Sequence, residues 1–195
     1  VYSRPGMATI EGVGPDGGES LHARKVLLAA GTLASTRLAL QTINHRMPVG
    51  MQTSPTAAFM LWLPRYLGRR HEAAFGLGQL SFSLDLNGGH DGFGSLFNTT
   101  GIPIAEFARH LPMGRRYGID LLAGLLPSCV VGNLFLPGSI SNVTLQLDAE
   151  DQLVICGGYR DEVELLMQQA QRQLRNSFGR LGALMMPGSF RLGRP

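Results

Sequence analysis

Residues 23–38 read ARKVLLAAGTLASTRL, and this stretch is the most informative one for the fold class. Residues 26–30 are continuously apolar, which is typical of a strand covered on both faces within a parallel sheet. Gly31 interrupts the run, and Thr32 can cap a helix that continues to about residue 41. The stretch therefore predicts a strand, a glycine turn and a helix.

The small residues at this turn indicate a place where a ligand can approach the main chain. Ala29, Ala30 and Gly31 have little or no side chain, so a flat and rigid ligand can lie against the backbone. A helix that begins immediately afterwards presents unpaired N–H groups, and ligands of open α/β sheets bind outside the carboxyl ends of the strands. Ala29, Ala30, Gly31 and Thr32 are thus candidate ligand contacts. The residues alone are equally compatible with a turn that is filled with small residues for packing.

The sequence of residues 27–40, LLAAGTLASTRLAL, resembles the second signature region of the glucose–methanol–choline (GMC) oxidoreductases. In that family a strand ending in Ala-Ala-Gly leads through a small-residue turn and a serine into a helix. This chain keeps Gly31, Thr32 and Ser35. It departs at Thr36, where the family prefers proline or serine, and after the helix, where the family's Ser-Gly-Ile-Gly ending is missing. The departures suggest a divergent branch.

A second resemblance lies at residues 136–145, LPGSISNVTL. The family has a Pro-x-Ser-x-Gly-x-Val-x-Leu strand that opens the sheet of its substrate domain, and Asn142 stands here in place of the glycine. The hairpin and the long helix that follow come in the order that the family implies.

The resemblance implies an α/β fold in two parts and an activity that depends on FAD. Residues 1–45 would end a Rossmann-like FAD-binding domain, and residues 46–195 would form a substrate domain with an antiparallel sheet and helices. Ala29, Ala30, Gly31 and Thr32 would contact the adenosine half of FAD. The intact protein would oxidise a small-molecule alcohol (an alcohol, sugar or sterol-like CH–OH group) by hydride transfer to the flavin, and residues 57–147 would shape the substrate side.

The resemblance also implies that the catalytic machinery lies elsewhere. The family's Gly-x-Gly-x-x-Gly loop does not occur in these 195 residues. Its catalytic histidine follows a His-Pro-x-Gly-Thr-like motif, which we expect beyond Pro195, so no catalytic residue is assigned and the chain is expected to be an internal piece. Two alternatives stay open: another FAD enzyme of ketosteroid or fumarate type, and a redox-inactive binding module without flavin.

Composition restricts the other classes of function. Hydrophobic residues make up 44% and charged residues 16% of the chain, which argues against disorder. The net charge is +3, but the arginines form only short groups, so no nucleic-acid-binding face is predicted. The apolar stretch 119–136 is interrupted by glycine and proline, so we read it as a buried helix and a strand; an interfacial contact with lipid stays open.

The cysteines and histidines show no metal-ligand spacing, so no metal site is predicted. Cys129 and Cys156 are each expected to be buried in a strand, and this usage fits a reducing compartment. His90 stands beside Asp91, a pair that can transfer protons, but the glycines around them favour a surface turn.

The remaining pattern predicts an alternation of strands and helices. Strands are expected at residues 7–13, 57–63, 76–86, 93–98, 130–136, 143–147 and 153–156, and helices at 102–110, 116–126 and 161–178. In the last helix, Val163, Met167, Ala170, Leu174 and Phe178 share one face. Gly179 is expected to end it.

Overall fold

The computed structural model describes residues 2–4, 6–69, 80–99, 104–110 and 112–193. These residues form twelve strands and four α-helices in a mixed α/β arrangement. The strands are β1 (Tyr2–Arg4), β2 (Met7–Gly14), β3 (Gly17–Ala23), β4 (Val49–Gly50), β5 (Thr56–Trp62), β6 (Leu80–Leu86), β7 (His90–Asn98), β8 (Cys129–Phe135), β9 (Thr144–Leu147), β10 (Leu153–Cys156), β11 (Leu184–Met185) and β12 (Arg191–Leu192). The helices are α1 (Thr32–Thr42), α2 (Ile104–Phe107), α3 (Arg115–Leu125) and α4 (Glu162–Arg180).

The chain divides into two compact units. The first consists of Val1–Met51 and Val143–Gly157, and the second of Gln52–Asn142 and Gly158–Pro195. The assignment of residues 1–45 to a FAD-binding domain and of residues 46–195 to a substrate domain stays a prediction.

The first unit contains two small antiparallel sheets and α1. One sheet has the order β1-β2-β3, and the other has the order β10-β9-β4. A tight turn connects β2 and β3, with Gly14 paired to Gly17. The predicted β9–β10 hairpin is confirmed. The carboxylate of Asp148 stabilises its turn because it accepts hydrogen bonds from the N–H groups of Glu150 and Gln152, at 2.9 and 2.8 Å.

The predicted parallel strand at residues 26–30 is wrong. Residue 24 is a bend and residues 25–29 have no regular secondary structure. Every pair of strands among the described residues is antiparallel, so a Rossmann-like sheet is not shown. A continuous apolar run becomes a central strand only where strands on both sides accept its backbone hydrogen bonds. No described strand lies beside this run, and Leu27 is 95% exposed.

The second unit is built on one six-stranded antiparallel sheet. Its order is β11-β5-β8-β7-β6, and β12 pairs with β5. Side chains of a strand alternate between the two faces of a sheet, and in β5 the buried residues are Ala57, Phe59 and Leu61. These pack with the buried face of α4, and all five of its predicted core residues are buried. The alternating buried residues of β5 and the apolar face of α4 thus belong to the same core.

Aromatic rings fill the centre of this core. The rings of Phe59 and Phe82 lie 6.2 Å apart between centroids, and those of Phe82 and Phe178 meet edge to face at 5.8 Å. Glycine makes room for them, since a Cβ at Gly132 would overlap the ring of Phe59 and lie 2.8 Å from Cδ2 of Leu96.

Several local predictions are corrected by the structure. Helix α4 ends at Arg180 and not at Gly179; the residue with positive φ is Gly182, at 79°. Cys129 is buried as predicted, but Cys156 is exposed, as are Val154 and Ile155 of the same strand; among the described residues, β10 is an edge strand of its small sheet. Residues 76–79 and 102–103, which were assigned to a strand and a helix, lie outside the described residues.

Candidate functional site

The turn before α1 holds the four predicted FAD contacts. Gly31 has φ 81° and ψ 165°, a conformation that strains any residue with a side chain. Its carbonyl accepts the first hydrogen bond of α1, from the N–H of Ser35 at 3.0 Å. Gly31 is therefore the N-cap residue, and the expectation that Thr32 caps the helix is wrong, because Thr32 is already helical.

Ser35 closes the turn from inside the helix. Its hydroxyl oxygen accepts a hydrogen bond from the N–H of Ala30 at 3.0 Å. No side chain caps the first turn of α1, so the N–H groups of α1 that precede Ser35 have no acceptor within the helix. The serine that carries part of the family resemblance thus orders the backbone in front of the helix.

The edge formed by residues 29–32 is accessible. Ala29, Ala30, Gly31 and Thr32 are all exposed. A Cβ at Gly31 would meet no heavy atom within 4 Å. The glycine is needed for its backbone angle and not for a close approach of another part of the described chain. Nothing in the described chain blocks a ligand from lying against this edge.

Helix α1 is held to the β9–β10 hairpin by polar contacts that the sequence did not reveal. The carbonyl oxygen of Asp151 accepts hydrogen bonds from Arg37 Nε at 3.0 Å and from Gln41 Nε2 at 3.2 Å. Arg46 forms an ion pair with the Asp151 carboxylate at 2.6 Å. Asp151 lies in the loop of the hairpin and has φ 60°, in the left-handed region. The contacts are separated by more than 100 residues in sequence, so no local pattern predicts them.

The second candidate surface is the face of the six-stranded sheet that lies opposite α4. Cα partners in an antiparallel ladder share a face, and Ser95, Asn133 and Ala58 follow one another across β7, β8 and β5. Arg191 of β12 extends the row beyond Ala58. We call these four residues the polar row, after its three polar members, Ser95, Asn133 and Arg191.

Asn133 is held in place within the polar row by Ser95. Its Oδ1 accepts hydrogen bonds from the N–H of Ser95 at 2.9 Å and from the Ser95 hydroxyl at 3.0 Å. Because a backbone N–H can only donate, this contact fixes which end of the amide is the oxygen. Within the described part of the chain, the amide nitrogen Nδ2 has no acceptor. The signal that was missed is a lone amide inside an otherwise apolar strand.

His90 and Asp91 do not form a proton-transfer pair. They are consecutive residues of β7, so their side chains lie on opposite faces of the strand. His90 is half-buried and lines a groove of about 430 Å³ with Gln169 and Arg172 of α4. The predicted turn is confirmed at residues 87–89, but His90 itself belongs to the strand.

Burial raises the pKa of the Cys129 thiol, and a hydrogen bond with Ser128 offsets part of that effect. A buried thiol with a raised pKa is a poor nucleophile. Among the described residues, no three His, Cys, Asp or Glu side chains come together as metal ligands. None of the described helices combines the length and the apolar character that a membrane span needs.

Comparison of the chain with protein-family models, curated proteins and solved structures returns no match.

Proposed function

We propose that this chain is part of a FAD-dependent oxidoreductase of GMC type that acts on a CH–OH donor. The observation that carries the proposal is the turn at residues 29–32, where small exposed residues lie at the start of a helix that no side chain caps. The sequence of this turn is the one that resembles the family.

The geometry of the turn fits the nucleotide half of FAD. Ala29 and Ala30 add almost no side chain to the exposed backbone, and Gly31 holds the angle that starts α1. Unpaired N–H groups at a helix start attract anionic phosphate oxygens. A bound flavin would supply a hydride acceptor, and these residues would position it without taking part in the proton transfer.

The polar row is the surface on which we place the alcohol. The Nδ2 group of Asn133 can donate to a substrate oxygen, while Ser95 holds the amide in place. Arg191 adds a positive charge at the end of the row. The half-exposed Met60 and the exposed Phe93 share this face and supply apolar surface for the carbon skeleton. The residue that takes the hydroxyl proton is not assigned within the chain.

One observation favours a second candidate, a binding module without flavin. The run at residues 26–30 is not a strand of a parallel sheet, and such a sheet is what positions FAD in the family. If residues 26–30 pair with strands outside the described residues, a sheet that can position FAD is still possible. If they do not, no strand at this turn supports the isoalloxazine half of FAD.

The proposal is tested by flavin content. The polypeptide encoded by the whole gene around residues 1–195 is purified, and its flavin absorption is measured together with that of the Ala30→Leu variant. Ala30 is exposed, and its N–H, which Ser35 binds, is kept in the variant. We expect a yellow protein and a loss of at least tenfold in flavin affinity for Ala30→Leu, because the longer side chain occupies the space of the ligand.

Ala39→Leu is the matched control, since Ala39 is an exposed alanine of α1 that lies away from the turn. It should keep the flavin. A colourless wild-type protein that cannot be reconstituted with FAD contradicts the proposal and favours the flavin-free module. Equal flavin content in both variants contradicts the placement of FAD at residues 29–32.

A further inference from the structure

An apolar cleft of about 280 Å³ lies in the second unit, at the end of the sheet where β5 and β7 finish and β6 and β8 begin. Helix α4 closes one side with Phe178, and the loop after it contributes Leu181 and Ala183. Apart from Arg65, the described residues that line the cleft are apolar: Leu61, Leu63, Leu80, Leu96, Phe97, Val130, Phe178, Leu181 and Ala183. The cleft shares no residue with the turn at residues 29–32 or with the polar row.

The floor and the rim of the cleft differ in exposure. Leu61 and Leu96 at the floor are buried, while Leu80 is 55% and Leu181 is 67% exposed. Large exposed apolar side chains around a concavity mark a place where an apolar ligand binds. Phe178 is also part of the α4 core, so the cleft has one rigid wall.

Arg65 gives the cleft its only described charge. Its guanidinium lies over the ring of Tyr66, with Cζ 5.0 Å from the ring centroid. Arg69 lies over the same ring at 5.4 Å. The ring holds the guanidinium in place, and none of the described lining residues is acidic. An anion at the mouth therefore meets an ordered partner without a competing carboxylate.

We propose that this cleft binds a free, single-chain alkyl carboxylate. Its volume of about 280 Å³ lies just below the usual range for small-molecule pockets, about 300–1,000 Å³. It can hold one alkyl chain and is too small for a helix of a protein partner. The chain occupies the space between Leu61, Leu96 and Phe178, and the carboxylate pairs with Arg65, whose fork of N–H donors fits two carboxylate oxygens.

The proposal is tested by calorimetric titration of the 195-residue chain with hexanoate, octanoate and decanoate, each below its micelle-forming concentration. We expect binding to tighten by about fourfold for each added methylene, which corresponds to ~0.8 kcal/mol per buried CH₂. Decanol, which has the same chain and no charge, should bind about tenfold more weakly than decanoate. An affinity that does not change with chain length overturns the proposal.

Two variants at exposed positions test separately how the cleft binds the carboxylate and the alkyl part of the ligand. Arg65→Gln should remove the advantage of decanoate over decanol, and Arg175→Gln, an exposed arginine of α4 outside the cleft, should keep it. Leu181→Glu should weaken decanoate by at least tenfold through repulsion at the rim. Leu165→Glu is its control, since Leu165 is 68% exposed and lies outside the cleft.

A membrane surface is the other source of such a ligand, and a vesicle experiment distinguishes the two. The chain is sedimented with phosphatidylglycerol vesicles in the presence and absence of decanoate. Vesicle binding without any binding of monomeric decanoate overturns the proposal. Equal loss of decanoate affinity in Leu181→Glu and Leu165→Glu also overturns it, because the effect is then one of net charge.

Discussion

Gly94→Ala tests the packing of the six-stranded sheet at its tightest point. Gly94 lies in β7, and a Cβ there would overlap the carbonyl oxygen of Asn133 in β8 and the ring of Phe82 in β6. Adding a methyl group to a filled core costs about 1–3 kcal/mol. We expect the upper end of that range, because a backbone carbonyl in a ladder cannot rotate away as a side chain can.

The variant is measured by urea unfolding followed through Trp62. This is the chain's single tryptophan and belongs to β5 of the same unit. A loss of about 3 kcal/mol lowers the midpoint by about 1.5 M if the slope is about 2 kcal/mol/M, and lowers the melting temperature by roughly 6–12 °C.

Gly124→Ala is the matched control for the same chemical change. Gly124 is an exposed residue of α3 whose added Cβ would meet no heavy atom within 4 Å. Alanine is favoured over glycine in a helix by about 0.5–1 kcal/mol, so this variant should be more stable than the wild type. The packing described for Gly94 is refuted if Gly94→Ala unfolds within about 0.5 kcal/mol of the wild type. It is also refuted if both variants shift the midpoint in the same direction.

Three further measurements follow from the burial of single side chains. Cys156 should react with a thiol reagent at the rate of an exposed cysteine, and Cys129 only as fast as the sheet opens; mass spectrometry that finds Cys129 labelled first contradicts the burial. Because the folded chain holds the Cys129 proton at a raised pKa, stability should be complete below the unfolded-state pKa of about 8.5 and fall as pH rises from there through the folded pKa. Cys129→Ala should flatten this fall in urea titrations, and parallel curves for the two proteins contradict it. Leu174→Ala should cost about 2–5 kcal/mol in urea unfolding, whereas Leu165→Ala on the exposed side of the same helix should stay within about 0.5 kcal/mol; similar losses contradict the orientation of α4.

Elements with a clear hydrophobic period were predictable from the sequence. Helix α4 has five apolar residues on one face, and all five are buried. The β6–β7 hairpin follows from alternating residues on either side of a turn. In these cases the pattern reports the burial of a face, and a single helix or neighbouring strand is enough to provide it.

The pattern fails where a structure depends on partners that are distant in sequence. Residues 26–30 have the composition of a central strand, but composition does not state whether neighbouring strands are present. The contact of Arg37 with the Asp151 carbonyl and the pairing of Ser95 with Asn133 depend on register across long separations. Cys156 was expected to be buried because its strand is apolar, yet three of the four residues of β10 are exposed. In each case, residues that are distant in sequence determine the pairing or the burial, and a local sequence pattern does not contain them.

At residues 26–30, the formation of a sheet can be measured separately from the binding of flavin. Burying a leucine such as Leu27 stabilises a protein by about 1.5–3 kcal/mol, so the run has a strong tendency to pair wherever strands are available. Amide hydrogen exchange on the polypeptide encoded by the whole gene measures that pairing directly, because paired amides exchange slowly. Slow exchange together with flavin absorption supports the FAD-binding sheet. Slow exchange in a colourless protein supports the flavin-free module, since the sheet then forms without the cofactor. Fast exchange at these amides contradicts the FAD-binding sheet, because that sheet requires residues 26–30 to be a strand.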